Sequence, residues 1–118
     1  MTQAINYTVE FSIKPGQQDG FAAVSKECTE AVNANEPGMN AYQWYYNDDK
    51  SKCYVTEWHA NTDSIMAHLQ NVGEILPKLF EFSEISRFEV FGNPGDAARE
   101  ALAGLGARFF SYDHGFIR

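Results

Sequence analysis

Hydrophobic and polar side chains alternate near the start of the chain, a period of two that is typical of a β-strand with one apolar face. Residues 4–13 follow this pattern, and the segment KPGQQDG after them contains Pro15 and Gly16, which predict a turn. The face predicted to be apolar consists of Ile5, Tyr7, Val9, Phe11 and Ile13.

From about residue 18 to residue 35 the apolar positions recur every three or four residues, which predicts an amphipathic helix. Pro37 and Gly38 follow and predict its end. Residues 39–47 and 52–60 are then rich in aromatic and β-branched side chains, and a polar turn, NDDKS, lies between them. This arrangement predicts a β-hairpin.

The segment NTDSIMAHLQNV predicts a second helix, with Asn61, Thr62 or Asp63 as its N-cap. A short helical piece follows within residues 73–85, where Pro77 is tolerated in the first turn. Residues 85–93 predict a fourth strand, and residues 96–103 an Ala-rich helix with Asp96 as its cap. The chain closes with ARFFSYDHGFIR, a strand-like run.

The predicted order β-α-β-β-α-β is the split βαβ, ferredoxin-like α+β arrangement, with an antiparallel sheet and helices on one side. We expect residues 1–118 to form a single domain, with a core of about 4–92 and a C-terminal extension of 93–118. The other side of the sheet needs a cover, and a second copy of the chain is the simplest one, which predicts a homodimer. The extension would either add a strand to the partner or cover the mouth of a pocket.

The composition of the chain indicates which partners and which compartment to expect. The chain has 16 acidic and 9 basic residues, for a net charge of −7, which disfavours nucleic acid and anionic membrane surfaces. No secretory signal or membrane-length apolar run is recognisable, so a cytoplasmic protein is expected. Cys28 and Cys53 are too few for a disulfide framework and are expected to be buried thiols.

The passage YVTEWHANTDSIMAHL, together with SRFEVFG, resembles the antibiotic biosynthesis monooxygenase family of the dimeric α+β barrel superfamily. The resemblance covers about residues 4–92 and leaves residues 94–118 without a counterpart. The residues that carry it are Glu57, Trp58, Asp63, Ala67, His68 and Leu69.

The resemblance implies a homodimer with facing sheets, and a pocket in each chain between its own sheet and helices. Characterised members of the family include oxygenases that act on aromatic polyketides or quinols without a metal or flavin cofactor. The resemblance therefore implies a cofactor-independent monooxygenase of a small quinol, phenol or anthrone-like compound. The alternative is a non-catalytic dimeric barrel that binds a small apolar ligand, since a fold does not fix a function.

His68 is the first catalytic candidate, because it lies one helical turn from Ile65 and so leans toward the sheet. A neutral imidazole there would exchange a proton with a phenolic substrate; otherwise it packs the helix against a strand. Asn40 is the second, as a donor to a carbonyl or phenolate oxygen. Some family members degrade haem, and His68 would be the axial ligand, but the helix that carries that ligand is not matched here.

Aromatic side chains supply the substrate-binding candidates, because flat apolar ligands stack on them. Tyr42 and Trp44 share a strand face, which lines the pocket if it meets the helices and the dimer interface if it meets the partner. The full set of candidates is Tyr42, Trp44, Tyr46, Trp58 and Phe80.

Two further expectations concern charged residues. Glu57 is expected to pair with Arg87 in a salt bridge rather than act as a catalytic acid. His59 ends its strand and is expected to be exposed. The spacing of His59, His68 and His114 matches no metal-ligand pattern, so no metal site is predicted.

Overall fold

The computed structural model describes residues 5–118, which form five strands and four helices. Ala4, which the sequence pattern placed in the first strand, lies outside the described residues. The elements are β1 (Ile5–Ile13), α1 (Gln18–Asn35), β2 (Met39–Tyr46), β3 (Lys52–His59), α2 (Thr62–Val72), α3 (Leu76–Phe80), β4 (Ser83–Phe91), α4 (Asp96–Ala103) and β5 (Arg108–Phe110).

The strands form one sheet in the order β2-β3-β1-β4-β5. The first four pair antiparallel, which confirms the ferredoxin-like prediction, while β5 pairs parallel to β4 and makes the sheet mixed. In the centre of the sheet, Tyr7 of β1 lies opposite Glu57 of β3, and Phe11 lies opposite Ile85 of β4. This register fixes which side chains share the wall of the interior.

The two faces of the sheet differ in burial. Along β1 every second residue is buried, and the same alternation runs along β3, so the predicted period of two is confirmed. The buried face carries Tyr7, Val9 and Phe11, which pack with α1, α2 and α3 residues in the core. We call the other side the open face; it carries Glu10, Lys52, Tyr54, Ser86 and Arg87.

The start of α2 is set by a side-chain cap. Asn61 is in extended conformation, and its side chain accepts a hydrogen bond from the backbone N–H of Ser64 at 2.9 Å, as an N-cap residue does. Pro77 lies in the first turn of α3, as predicted. Asp96 is the first residue of α4 and not its cap; Gly95, with a positive φ of 85°, precedes the helix.

The C-terminal extension packs on its own chain. Ala98 and Leu102 of α4 are fully buried in the core, and β5 extends the sheet beside β4. The backbone N–H of Gly92, just after β4, donates to the carbonyl of Phe110 at 3.0 Å. This hydrogen bond joins the end of β5 to the end of β4. Among residues 5–118, no helix has both the length and the apolar character needed to span a bilayer.

Because Leu102 is fully buried, we predict that Leu102→Ala lowers the free energy of unfolding by about 2–5 kcal/mol, through lost burial and a residual cavity. Urea denaturation measures the change. Ile117→Ala is the control, since Ile117 is 74% exposed and its truncation should stay within about 0.5 kcal/mol of wild type. Equal small effects of both variants would show that the extension is not part of the core.

Candidate active site

A small cavity lies between the sheet and the helices, with a volume of about 40 Å³. Its wall is mostly apolar, with polar groups gathered near the end of β3. A volume of this size holds roughly three water molecules, so an aromatic substrate enters only when wall side chains move. The polar lining comprises Tyr7, Tyr42, Glu57 and His68, and the apolar part includes Trp44, Leu76, Leu79, Phe80, Ile85, Leu102 and Leu105.

His68 lies between two buried carboxylates. Its Nδ1 is 3.0 Å and 3.1 Å from the two carboxylate oxygens of Glu36, and its Nε2 is 3.2 Å from Oε1 of Glu57. Glu36 follows the last residue of α1, Glu57 lies on β3 and His68 on α2, so the contact joins three elements. The side chains of all three are at most 6% exposed.

The carboxylates decide the charge of His68. Burial alone lowers the pKa of His68, but the charge of Glu57 and the hydrogen bond and charge of Glu36 outweigh it, so the pKa is raised above its usual value. For Glu36, burial opposes ionisation, and the hydrogen bonds from His68 and Asn71 overcome it, so the pKa of Glu36 is lowered. Both shifts favour an imidazolium between two carboxylates.

His59 also contacts Glu57, and we call Glu36, Glu57, His59 and His68 the charged network. The predicted exposure of His59 was wrong, because its side chain is fully buried. His59 Nε2 lies 3.1 Å from Oε1 of Glu57, and Nδ1 lies 2.8 Å from the hydroxyl of Ser64 at the start of α2. The alternation of β3 continues to its last residue, so His59 shares the inward face with Glu57 and is covered by α2.

The predicted salt bridge between Glu57 and Arg87 was also wrong. Glu57 faces the helices, whereas Arg87 lies on the open face and pairs with Glu89 there, with 3.2 Å between Arg87 Nε and Glu89 Oε1. The sheet separates the two side chains. Trp58, the next residue of β3, points to the side opposite Glu57, as the alternating burial along β3 shows.

Two tyrosines stand beside the charged network. Tyr7 stacks on His59 with 5.1 Å between ring centroids, and Tyr42 meets the ring of His68 edge-on at 5.7 Å. Burial, followed by the negative charge of Glu57, raises the pKa of both phenols well above the usual value. Both phenols therefore remain protonated.

The aromatic candidates fall into two groups. Tyr42, Trp44 and Phe80 line the cavity, so β2 presents this face to the helices and not to a partner. The indole Nε1 of Trp44 is buried without a hydrogen-bond partner among the described residues, which leaves a donor for a ligand oxygen. The structure does not bring Asn40, Tyr46 and Trp58 to this cavity.

The reasons differ for these three residues. Asn40 is exposed at an irregularity between Met39 and Ala41, where the pairing of β2 with β3 shifts. Tyr46 is 39% exposed and packs against Phe21, away from the charged network. Trp58 lies on the open face of the sheet.

Glu36 and Tyr7 are site residues that sequence reasoning missed. Tyr7 was recognised as an inward-facing strand residue, but its place opposite Glu57 depends on strand pairing. Glu36 directly precedes Pro37 at the end of α1, a position to which the sequence pattern assigns no function. Its burial beside His68 depends on how α1 packs against α2, which no local pattern shows.

The two cysteines are buried, as predicted. Burial raises the pKa of the Cys28 thiol to about 11 and that of the Cys53 thiol to about 12, so neither is an activated nucleophile. Within residues 5–118, no group of three His, Cys, Asp or Glu side chains is arranged to hold a metal ion. We assign no metal ligand.

We predict that Glu36→Gln lowers the free energy of unfolding by about 3 kcal/mol near pH 5.5, because one partner of a buried ion pair is removed. Folding raises the pKa of His68, so its contribution is complete below about pH 6.5 and is lost as the pH rises through the folded pKa. Folding lowers the pKa of Glu36, so that contribution is lost as the pH falls below about 4.5.

Urea denaturation of both proteins at pH 4, 5.5 and 9 should therefore give the largest difference at the middle value. Glu27→Gln is the matched control, because Glu27 forms an exposed pair with Lys78 at 3.1 Å and should change stability by less than about 1 kcal/mol. A difference between wild type and Glu36→Gln that does not depend on pH would contradict an ionised Glu36–His68 pair.

Solved structures share this fold. MupZ from Pseudomonas fluorescens superposes with a TM-score of 0.89 at 24% sequence identity, over 99% of this chain and 96% of that chain, so the similarity includes the extension. A candidate antibiotic biosynthesis monooxygenase from Caulobacter crescentus superposes with a TM-score of 0.65 at 19% sequence identity, over 74% of this chain and 84% of that chain. A candidate antibiotic biosynthesis monooxygenase from Chloroflexus aurantiacus superposes with a TM-score of 0.65 at 16% sequence identity, over 80% of this chain and 96% of that chain.

No curated protein matches the chain in sequence. The family model for antibiotic biosynthesis monooxygenases matches residues 5–73, which is more than half of the chain and contains β1 through α2. The matched segment supplies Tyr7, Glu36, Glu57 and His68, while α3, β4 and the extension complete the apolar wall. The chain belongs to the antibiotic biosynthesis monooxygenase family.

Proposed function

We propose that the protein is a cofactor-independent oxygenase of a small phenolic, quinol or anthrone-like compound, which it deprotonates inside the cavity. The observation that carries this proposal is the position of the Glu57–His68 pair on the wall of an apolar, aromatic-lined cavity. A carboxylate beside a cationic imidazole combines a proton acceptor with a group that stabilises the anion formed. Membership of a monooxygenase family supports the oxidative part of the proposal.

In this proposal Glu57 accepts the substrate proton. Its Oε1 contacts His59 and His68, so the geometry of the carboxylate is fixed before the substrate arrives. The charge of His68 favours the substrate anion in an environment that contains little water. The unpaired indole N–H of Trp44 supplies a further donor to the substrate oxygen.

The substrate anion then reduces dioxygen. For an anthrone-like compound, one oxygen atom replaces the two hydrogens of a methylene group as a carbonyl oxygen, and the other oxygen leaves with those hydrogens as water. The substrate supplies the electrons. The task of the protein in this step is to hold the anion beside oxygen and to exclude bulk water.

A second candidate is an acid–base reaction that consumes no oxygen. The observation that favours it is the contact of His68 with two carboxylates, which keeps the imidazole protonated as a proton donor beside the acceptor Glu57. Parallel incubations with and without oxygen distinguish the two reactions.

For the first candidate, we predict oxygen uptake and product formation with at least one member of a panel of quinols and anthrones. Glu57→Gln and His68→Gln should each lower kcat by about 10²–10⁴-fold, the usual contribution of acid–base groups. Glu27→Gln, in the exposed ion pair with Lys78, is the matched control and should retain wild-type turnover. Oxygen-electrode rates and mass spectrometry of the products measure the effect.

Three outcomes would count against an oxygenase. Turnover that continues without oxygen would support the acid–base reaction instead. Binding of the panel compounds without any turnover would support a ligand-binding module. Equal losses in Glu57→Gln and Glu27→Gln would remove the reason for placing the chemistry in the cavity.

We also propose that two copies of the chain pair through the open face. The polar side chains of that face already contact one another: the hydroxyl of Ser86 donates to Glu10 at 2.7 Å, and Tyr54 donates to the same carboxylate. Sedimentation equilibrium should give twice the chain mass, and Trp58→Glu should shift the protein toward the monomer, because a charge would be buried in the interface. A monomeric wild type would contradict the pairing.

A further inference from the structure

The cavity and a neighbouring surface cleft are separated by a thin wall. Three half-buried side chains, Phe80, Ile85 and Leu105, line the cavity on one side and the cleft on the other. We call these three residues the partition. They come from the end of α3, from β4 and from the turn after α4, so three separate segments meet there.

The partition lies at the far end of the cavity from the charged network. Ile85 is beside Phe11 in the sheet, whereas Glu57 is beside Tyr7, four residues away along β1. Four residues of a strand span roughly 13 Å. A ligand that contacts both the partition and Glu57 must therefore extend along β1, past an apolar wall.

Leu105 is the member of the partition on the least regular backbone. It lies between Gly104 and Gly106, beyond the last residue of α4, whereas Phe80 is in α3 and Ile85 is in β4. Gly106 has a positive φ of 90°, and a Cβ placed there would meet no atom within 4 Å. The turn therefore borders open space at Gly106. Because Leu105 lies outside the strands, a rotation of its side chain leaves the backbone hydrogen bonds of the sheet in place.

We propose that the substrate enters through the partition, with Leu105 as the side chain that opens and selects it. This proposal rests on the proposed function for its purpose, but the route itself is tested without turnover. The preferred substrate is elongated, with an apolar body that passes Phe80 and Leu105 and a polar reacting end at Glu57. Leu102 and Leu105 belong to the extension, so that segment determines which substrates fit.

The opposite end of the cavity offers the competing route. A surface cleft between α1 and β2 meets the cavity at Tyr42 and is also lined by Glu36. Glu36 is fixed there by its contacts with His68 and by a 2.7 Å hydrogen bond from Asn71. Any widening of this side that moves Glu36 breaks the buried ion pair, whereas the side chains of the partition are all apolar.

Cys28 provides an internal reporter of entry. Its side chain is 1% exposed and lines the cavity, while Cys53 is fully buried and lies outside the cavity lining. A small uncharged thiol reagent, methyl methanethiosulfonate, must enter the cavity to modify Cys28. Reaction at about pH 7 with excess reagent leaves the Glu36–His68 pair charged, and peptide mass spectrometry follows each thiol separately.

We expect Leu105→Ala to accelerate modification of Cys28 by roughly fivefold or more and Leu105→Trp to slow it by a similar factor, while the rate at Cys53 stays constant. Ile75→Ala is the matched control, because Ile75 is a half-buried aliphatic residue that packs on the core outside the partition. It should leave both rates near those of wild type. The slower modification of Cys28 in Leu105→Trp is the more specific result, because a variant that is merely less stable would be labelled faster.

The proposal is overturned if the reagent modifies Cys28 in both Leu105 variants at a rate within twofold of wild type. It is also overturned if the modification rates of Cys28 and Cys53 change together. Selective acceleration in Tyr42→Ala, with no response to Leu105, would assign entry to the cleft between α1 and β2. Because labelling requires no reaction by the protein, these results stand whether or not the oxygenase proposal fails.

Discussion

The interior of this protein is organised around one cation held between two carboxylates. His68 contacts Glu36 through one ring nitrogen and lies at ion-pair distance from Glu57 through the other, and all three side chains are nearly fully buried. Burying an isolated charge is costly, so each of the three depends on the other two. Since they belong to the end of α1, to β3 and to α2, this contact fixes how the helices sit on the sheet.

The remainder of the cavity follows from that arrangement. The carboxylates hold His68 against the ring of Tyr42, and Tyr7 stacks on His59 across the adjoining strand, so polar groups collect at one end. Apolar side chains from α3, β4 and the extension close the other end. The site therefore combines a reactive polar end with an apolar channel, and the extension is part of its wall and not an appendage.

The sequence alone predicted the β-α-β-β-α-β core, because period-two and period-three-to-four patterns are local and strong here. It did not predict the parallel pairing of β5 with β4, which depends on contacts between separate segments. The alternation that begins at Ile5 and the helix over 18–35 agree closely with the structure. His68 was recognised because helical spacing places it beside Ile65. Its partner Glu36 was not, because that contact joins residues far apart in sequence and depends on the packing of α1 on α2. His59 was misjudged since a strand end is usually exposed, and only the covering helix α2 makes it buried.

The protonation state of His68 decides whether the interior holds a buried cation, and ¹⁵N NMR of the imidazole nitrogens measures it as a function of pH. We predict an imidazolium with two protonated nitrogens at pH 7, and a lower pKa for His68 in Glu36→Gln. A neutral His68 at pH 7 with a single protonated nitrogen, unchanged by Glu36→Gln, would contradict the buried cation on which the site depends.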